Sequence, residues 1–202
     1  MRHLRWLTLI VLICLLIAAA VGVKTYRYIY PYGARPACLP NVLQALQSYS
    51  LEHGGGFPNT TTQAPLEALR ALYPRYLVDW RPLAGLSGDQ ELLEHQMTGN
   101  LRLTEAASSW VYWPGLRSDD KPDIAIIWER RSGLRFNGSR AHGHEVGFIG
   151  GYTRQVADGK WSAFLQDQQG LRETAIAKRK SVGDHPATPG FTNSPPNVRG
   201  SR

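Results

Sequence analysis

Eighteen consecutive residues without a charge, Trp6 to Val23, constrain this chain more than any other stretch of its sequence. At about 1.5 Å per residue, a helix of this length just crosses the roughly 30 Å apolar core of a bilayer. Arg5 and Lys24 flank the run, and a cluster of tyrosines follows it: Tyr26, Tyr28, Tyr30 and Tyr32. Because amphipathic aromatic side chains are favoured at the level of the headgroups, the pattern predicts a membrane-spanning helix over residues 6–23.

A cleaved signal peptide has the same general pattern, because it too begins with basic residues and continues with an apolar core. Here the basic start is MRHLR, and Ala18 to Ala20 offer the small residues found at a cleavage site. The apolar run continues past these alanines to Val23, which favours a retained anchor. Both alternatives place the later residues outside the cytoplasm. We therefore expect a single-pass protein of the inner (plasma) membrane with a cytoplasmic tail at 1–5 and an extracytoplasmic C-terminal domain.

The net charge of +7 is concentrated at the two ends of the chain. Residues 1–51 hold five bases and no acid, and residues 170–202 hold six bases and two acids. The segment between them, 52–169, holds 12 bases and 14 acids and is nearly neutral. Basic ends beside an apolar segment suit anionic lipid headgroups better than a nucleic-acid groove. The bilayer is therefore the expected partner of residues 6–23, and no nucleic-acid partner is expected.

Prolines and glycines divide the remainder of the chain. Residues 24–40 are predicted to be a linker rich in tyrosine and proline, in which the first helix must stop. The three prolines of this linker are expected to uncouple the anchor from the exported α+β domain at 41–180. Residues 181–202 contain four prolines and little apolar content, which predicts a disordered basic tail.

Helical periodicity predicts four helices in the domain. The first extends from an N-cap at Asn41 to Gly54, and the second begins with Pro65 in its first turn. An acidic third helix is expected over residues 89–97, and a last one from near Trp161 toward Lys180. The second helix presents three leucines on one face: Leu66, Leu69 and Leu72.

Strands are predicted in the second half of the domain. The segments SSWVYWPG and DIAIIWER are rich in β-branched and aromatic residues and are bounded by turn formers. EVGFIGGYTRQV is typical of a hairpin, with Gly150 and Gly151 both supplying the positive φ that a two-residue turn requires. Strands that follow helices in this order predict an α+β fold, a small antiparallel sheet with helices packed on one face.

The order of these parts, over roughly residues 7–165, resembles that of bacterial type II secretion pseudopilins and type IV pilin-like proteins. In those families the first soluble helix closes with a tyrosine, followed by a glycine and an aromatic–proline pair, and a late strand-turn-strand often contains FADGHV. The matching residues here are Tyr49, Gly56, Phe57 and Pro58 in the first motif, and Phe148 and Gly151 in the second.

Two positions depart from the family pattern at the start of the apolar helix. The prepilin peptidase site has a glycine where this chain has Trp6, and pilin-like subunits carry a glutamate where it has Val11. The resemblance therefore implies a pilin-like subunit that is neither cut by that peptidase nor built into a filament spine. It implies a non-enzymatic, membrane-anchored protein that contacts envelope or secretion proteins in a secretion or pilus-type assembly.

Catalytic, cofactor-binding and disulfide chemistry have little support in the sequence. No G-x-S-x-G motif is present, and Cys38 lies in the proline-rich linker without a nearby histidine. The other cysteine, Cys14, lies within the apolar run and cannot reach Cys38, so no intrachain disulfide is expected. We predict no catalytic, cofactor-binding or metal-binding residue.

Two clusters of metal-ligand residue types offer an alternative to this prediction. In a strand, His142 and His144 would project from the same face and could share one zinc ion, but no further ligands are in evidence. Asp119, Asp120 and Asp123 offer oxygen ligands for calcium, although capping and turn formation are commoner roles. The alternative function is an anchored or secreted binding module that uses the aromatic segments RYLVDWRPL and WVYWPG, assisted by a metal at His142 and His144.

Overall fold

The structure is a computed structural model that describes residues 2–36, 38–60 and 64–182. The first element is helix α1, Arg2–Ile29. It continues past the predicted end at Val23, through the first part of the predicted linker. Nothing in Lys24–Ile29 disfavours a helix, whereas Pro31 restricts the residue before it to extended conformations. The predicted basic tail lies outside the described residues, except that Ser181 and Val182 belong to the last helix.

Helix α2, Cys38–Glu52, begins earlier than predicted and includes Pro40 in its first turn. The expected N-cap at Asn41 is therefore wrong, and the last residues of the predicted linker, Cys38 to Pro40, are helical. Proline is tolerated in a first turn because the amide groups there have no partner within the helix. The helix ends before Gly54, as the sequence predicts.

Three shorter helical elements follow α2, one of them a 3₁₀ helix at Arg81–Ala84. Residues Pro65–Leu72 form a 3₁₀ helix, on which Leu66, Leu69 and Leu72 are buried. Side chains three residues apart align on a 3₁₀ helix, so this leucine spacing suits it better than an α-helix. Helix α3, Gln90–Thr98, confirms the acidic third helix, and the Asp89 carboxylate accepts hydrogen bonds from the amides of Glu91 and Leu92, both at 3.0 Å.

The predicted antiparallel sheet is confirmed and has four strands in the order β1-β2-β3-β4. The strands are β1 Trp110–Tyr112, β2 Ala125–Glu129, β3 His144–Phe148 and β4 Thr153–Val156. Each strand pairs with the next along the chain, and Trp128 in β2 lies opposite Val111 in β1 and Val146 in β3. Helix α4, Trp161–Val182, follows the sheet after a short 3₁₀ turn, Asp158–Lys160.

The hairpin between β3 and β4 is present, but its turn differs from the prediction. The Phe148 amide donates to the Tyr152 carbonyl at 3.0 Å, and the Gly151 amide donates to the Phe148 carbonyl at 2.9 Å. Three residues, Ile149 to Gly151, therefore form the loop. Only Gly151 has a left-handed φ, +79°, so the two-residue turn with two positive-φ glycines is wrong. A three-residue loop needs just one such position.

Helices cover both faces of the sheet, whereas the sequence predicted a helix on one face. All residues of β2 and β3 are buried. The larger apolar cluster joins α2 to one face, through residues such as Leu43 and Ile126. The smaller cluster packs Trp128 and Phe148 against Trp161 and Phe164 of α4. Alternation along β3 hid this arrangement, because Glu145 and Gly147 interrupt the apolar run that a doubly covered strand usually shows.

Candidate functional site at the apolar helix and its junction

The apolar part of α1, Trp6–Ile29, is 24 residues long and makes no packed contact with the domain along its most apolar window. Its large side chains are exposed, including Trp6, Leu12 and Ile17. A helix of this length extends about 36 Å, which is enough to cross a bilayer core. Length and composition therefore fit a membrane anchor, and an N-terminal signal sequence has the same properties.

The end of this helix is joined to the loop between β2 and β3, residues 130–143, which we call the junction loop. The Arg140 amide donates to the Ile29 carbonyl at 2.8 Å, and Arg140 Nε donates to the Tyr28 carbonyl. These are among the last carbonyls of the helix, which lack partners within it. A cationic side chain at this end also interacts favourably with the helix dipole.

Further contacts extend this connection from α1 to α2. The Arg35 amide donates to the Asn137 carbonyl at 2.9 Å, and the Cys38 amide donates to the Phe136 carbonyl at 3.2 Å. The junction loop therefore contacts the chain on both sides of the proline-rich segment. The expectation that the prolines uncouple the anchor from the domain is wrong, because these contacts bridge the segment.

Two tyrosines of the predicted headgroup cluster contact arginines of the junction loop. The guanidinium of Arg140 lies 4.9 Å from the centre of the Tyr28 ring. The guanidinium of Arg131 lies 5.5 Å from the centre of the Tyr32 ring and donates to its hydroxyl oxygen. Arginine over an aromatic face is a favourable cation–π arrangement. The sequence identified the tyrosines, but it gave no sign of these partners, which lie about a hundred residues away.

The two histidines proposed as metal ligands have different surroundings. His142 is exposed and precedes β3, so the pair does not share a strand. His144 is buried, its ring stacks on Trp161 with centroids 3.8 Å apart, and its Nδ1 lies 3.1 Å from the Glu129 carbonyl oxygen. Within the described ranges, no group of three or more histidine, cysteine, aspartate or glutamate side chains could hold a metal ion.

The acidic loop is organised by arginines. Asp120 accepts from the Arg117 amide at 2.8 Å and pairs with Arg179 of α4 at 3.2 Å. Asp119 pairs with the Arg117 side chain at 3.0 Å, and Asp123 is exposed. The first two carboxylates therefore act in turn formation and in fixing the end of α4.

Both cysteines are free thiols. Cys38 is buried in the first turn of α2, and Cys14 is exposed on the apolar helix. Burial raises the pKa of Cys38 to about 11, although nearby Arg35 opposes the shift. A thiol is nucleophilic as the thiolate, so this shift makes Cys38 a poor nucleophile at neutral pH.

A buried polar cluster around Glu129, the last residue of β2, escaped the sequence analysis. Glu129 is fully enclosed, and one carboxylate oxygen accepts from the Leu86 amide at 2.8 Å and the Ser109 hydroxyl at 2.9 Å. The other accepts from the Ser87 hydroxyl at 2.6 Å. Gly85 has a φ of +78°, and a Cβ there would lie 2.3 Å from the Ser109 hydroxyl. This glycine lets the loop before α3 close over the carboxylate.

The Glu129 cluster links this loop to the sheet. Burial raises the pKa of the Glu129 carboxyl, and the hydrogen bonds from Ser87, Leu86 and Ser109 oppose that shift. His144 contacts the main-chain carbonyl of Glu129 and not its carboxylate. His144 and the Glu129 carboxylate therefore do not form a pair that could activate Ser87 as a nucleophile. A single glutamate at the end of an apolar strand usually marks the point where the strand becomes exposed. The sequence therefore gave no indication that Glu129 is buried in a polar cluster.

Comparisons with known proteins add no relative to these observations. No protein-family model matches the chain, no curated protein matches it, and no solved structure matches it. The resemblance to pseudopilins and pilin-like proteins therefore stays a prediction from the sequence.

Proposed function

We propose that this chain is a single-pass protein of the inner membrane whose extracytoplasmic domain acts through protein contacts in a secretion or pilus-type envelope assembly. The observation that carries the proposal is the exposed apolar helix Trp6–Ile29, which leads directly into a folded domain. An apolar helix whose large side chains are exposed needs a lipid environment. A membrane protein whose exported part is one small domain is the architecture of a pseudopilin-like subunit.

The fold is compatible with the resemblance in two respects. An apolar N-terminal helix precedes a helix packed on an antiparallel sheet, the order found in pilin-like proteins. Two residues of the first matched motif also have structural roles. Phe57 is buried, and the Pro58 carbonyl accepts a hydrogen bond from the Tyr112 hydroxyl at 2.7 Å.

The departures from the family pattern define what kind of subunit is proposed. Trp6 and Val11 replace the residues that support peptidase cleavage and helix stacking in a filament. The break between α1 and α2 interrupts the long continuous spine helix of a filament subunit. We therefore propose a single anchored subunit that contacts an assembly without polymerising in it.

The alternative, a binding module built on the aromatic segments, has less support. Trp110 and Tyr112 of WVYWPG are core residues, and the Trp110 indole donates to the Pro82 carbonyl at 2.8 Å. Leu77 and Leu83 of RYLVDWRPL are buried as well. These segments therefore stabilise the domain and leave little aromatic surface for a ligand.

Site-specific photocrosslinking in intact membranes tests the proposal. A photoreactive residue at Val78 or at Leu51, which are 94% and 82% exposed, samples two apolar positions on the domain surface. We expect discrete adducts, identified by mass spectrometry, with membrane or periplasmic components of a secretion or pilus-type assembly. Replacing residues 6–23 by an unrelated membrane-spanning segment should weaken those adducts. Adducts with no such component at either position would contradict the proposal.

A further inference from the structure

A cavity of about 680 Å³ lies between the C-terminal end of α1 and the junction loop. Three arginines of the loop line it, Arg131, Arg135 and Arg140, together with Tyr28 and Tyr32. None of its lining residues is acidic. The chemistry of the cavity is therefore that of an anion site, with guanidinium forks and phenol hydroxyls as the available donors.

Among the described residues, the three arginines of this cavity have no carboxylate in ion-pair contact. The sequence contains no acid from residue 130 to 144 and none before Glu52. The two glutamates that flank the loop, Glu129 and Glu145, are buried, and Glu145 interacts electrostatically with Arg135 without forming an ion pair with it. By contrast, the neighbouring Arg130 pairs with Glu105 at 3.3 Å.

The position of the cavity along α1 matches the headgroup layer of a bilayer. The uncharged run ends at Val23, and Tyr28 lies five residues further along the helix, about 7.5 Å at 1.5 Å per residue. The headgroup region extends roughly 5–8 Å beyond each side of the apolar core. Tyrosines are favoured at this depth. With α1 in the membrane, the three arginines therefore face the phosphates of the outer leaflet.

We propose that the junction loop and the end of α1 form a binding site for the phosphate of an anionic phospholipid headgroup. Arg131 and Arg140 are held in place by their contacts with Tyr32 and Tyr28, so little side-chain freedom is lost when a phosphate binds. A guanidinium binds phosphate oxygens through two parallel hydrogen bonds. This inference rests on the proposed membrane anchoring of α1. The lipid contact would fix the position of the domain at the bilayer surface.

The test uses the full chain in detergent micelles with equimolar phosphatidylglycerol and phosphatidylcholine, and native mass spectrometry to count retained lipids. We expect the unmodified protein to retain about tenfold more phosphatidylglycerol than phosphatidylcholine. This ratio is smaller than three unscreened arginines would give, because salt weakens the attraction between charges near the bilayer surface. The triple variant R131Q/R135Q/R140Q should lose this preference. R131K/R135K/R140K should keep only part of it, because it retains the charge but loses the fork geometry.

The matched control is R75Q/R81Q/R117Q. It removes the same number of charges from arginines outside the junction loop, which pair with Glu52, Asp79 and Asp119. The control should retain the lipid preference. Equal retention of both lipids by the unmodified chain, or an equal loss in the control and in R131Q/R135Q/R140Q, would overturn the proposal. If the glutamine variant does not fold, the salt dependence of the unmodified chain decides: the preference must fall between about 50 and 500 mM NaCl.

Two further measurements separate the lipid site from a site for soluble phosphate and from the proposed function itself. Millimolar inorganic phosphate should leave the bound phosphatidylglycerol in place. Displacement of the lipid by phosphate would assign the site to a soluble phosphate and overturn the lipid assignment. Extraction of cell membranes with alkaline carbonate tests the anchoring itself. A chain that leaves the membrane contradicts the proposed function, whereas a chain that stays but shows no lipid preference contradicts only the lipid site.

Discussion

The carboxyl group of Glu129 is enclosed by protein and lies in a cluster without a cation. Its pKa is raised, chiefly by burial, so the folded state favours the protonated form. A raised folded pKa gives stability that is fully present below the unfolded value and is lost as the pH rises through the folded value. Stability from this group is therefore greatest in acid and declines toward neutral pH.

The variant E129Q should remove this pH dependence, because an amide does not ionise and can still pair with Ser87 and the Leu86 amide. We expect the melting temperature of the unmodified chain, relative to that of E129Q, to fall as the pH rises from about 4.5 to 8. Thermal melts followed by tryptophan fluorescence, on both full chains in detergent, measure this difference in melting temperature at each pH. Burial also raises the pKa of Glu145, so part of the slope remains in both proteins. Identical slopes would contradict the assignment to Glu129.

The two histidines proposed as a metal pair should differ in their effect on stability. H144A removes a ring that stacks on Trp161 and contacts the Glu129 carbonyl, and should cost about 1–3 kcal/mol. H142A changes an exposed side chain and should stay within about 0.5 kcal/mol. Chemical denaturation of the two variants measures both costs. Equal effects, or stoichiometric zinc that either substitution removes, would restore the metal interpretation.

At the scale of the elements, periodicity and capping residues predicted α3, α4 and the four strands. These elements rest on local signals, such as Asp89 at the start of α3. The failures have local causes too. A leucine every third residue fits both an α-helix and a 3₁₀ helix, and Pro40 can open a helix or belong to a linker. The second helix on the sheet depended on long-range packing of Trp128 against Trp161, which local patterns do not report.

The hairpin turn gives a prediction at this scale. Gly151 has a φ of +79°, and a Cβ there would meet nothing closer than 3.8 Å. Backbone conformation, and not crowding, therefore decides which side chains it accepts. G151N should be tolerated, because asparagine enters the left-handed region readily, whereas G151V should cost about 1–3 kcal/mol. Thermal melts compare the two variants, and equal destabilisation by both would point to crowding instead.

At the scale of the whole molecule, the sequence located the apolar span but not its connection to the domain. Arg140 and Tyr28, which contact each other at the end of α1, are 112 residues apart in the chain. No periodicity or motif relates residues at such a distance. The sequence therefore could not predict the contacts that join α1 to the domain, including the pairing of tyrosines with arginines. The composition of the apolar span was sufficient to predict the span itself.

We propose that α1 remains attached to the domain as a membrane anchor. In the pattern of the pilin-like proteins that the chain resembles, Trp6 stands where a prepilin peptidase reads glycine, and Val11 offers no carboxylate to neutralise the amine that such a cut would create in lipid. The contacts of Arg140 with Tyr28 and Ile29 give the intact helix a structural role at the surface of the domain.

Intact mass spectrometry of the protein extracted from membranes decides whether α1 is retained. We expect a chain that retains residues 6–29 with its N-terminus at or near Met1. A chain that starts at Val21 would identify the apolar segment as a cleaved signal peptide, and a chain that starts at Leu7 would show prepilin processing. Either shortened mass would contradict the account.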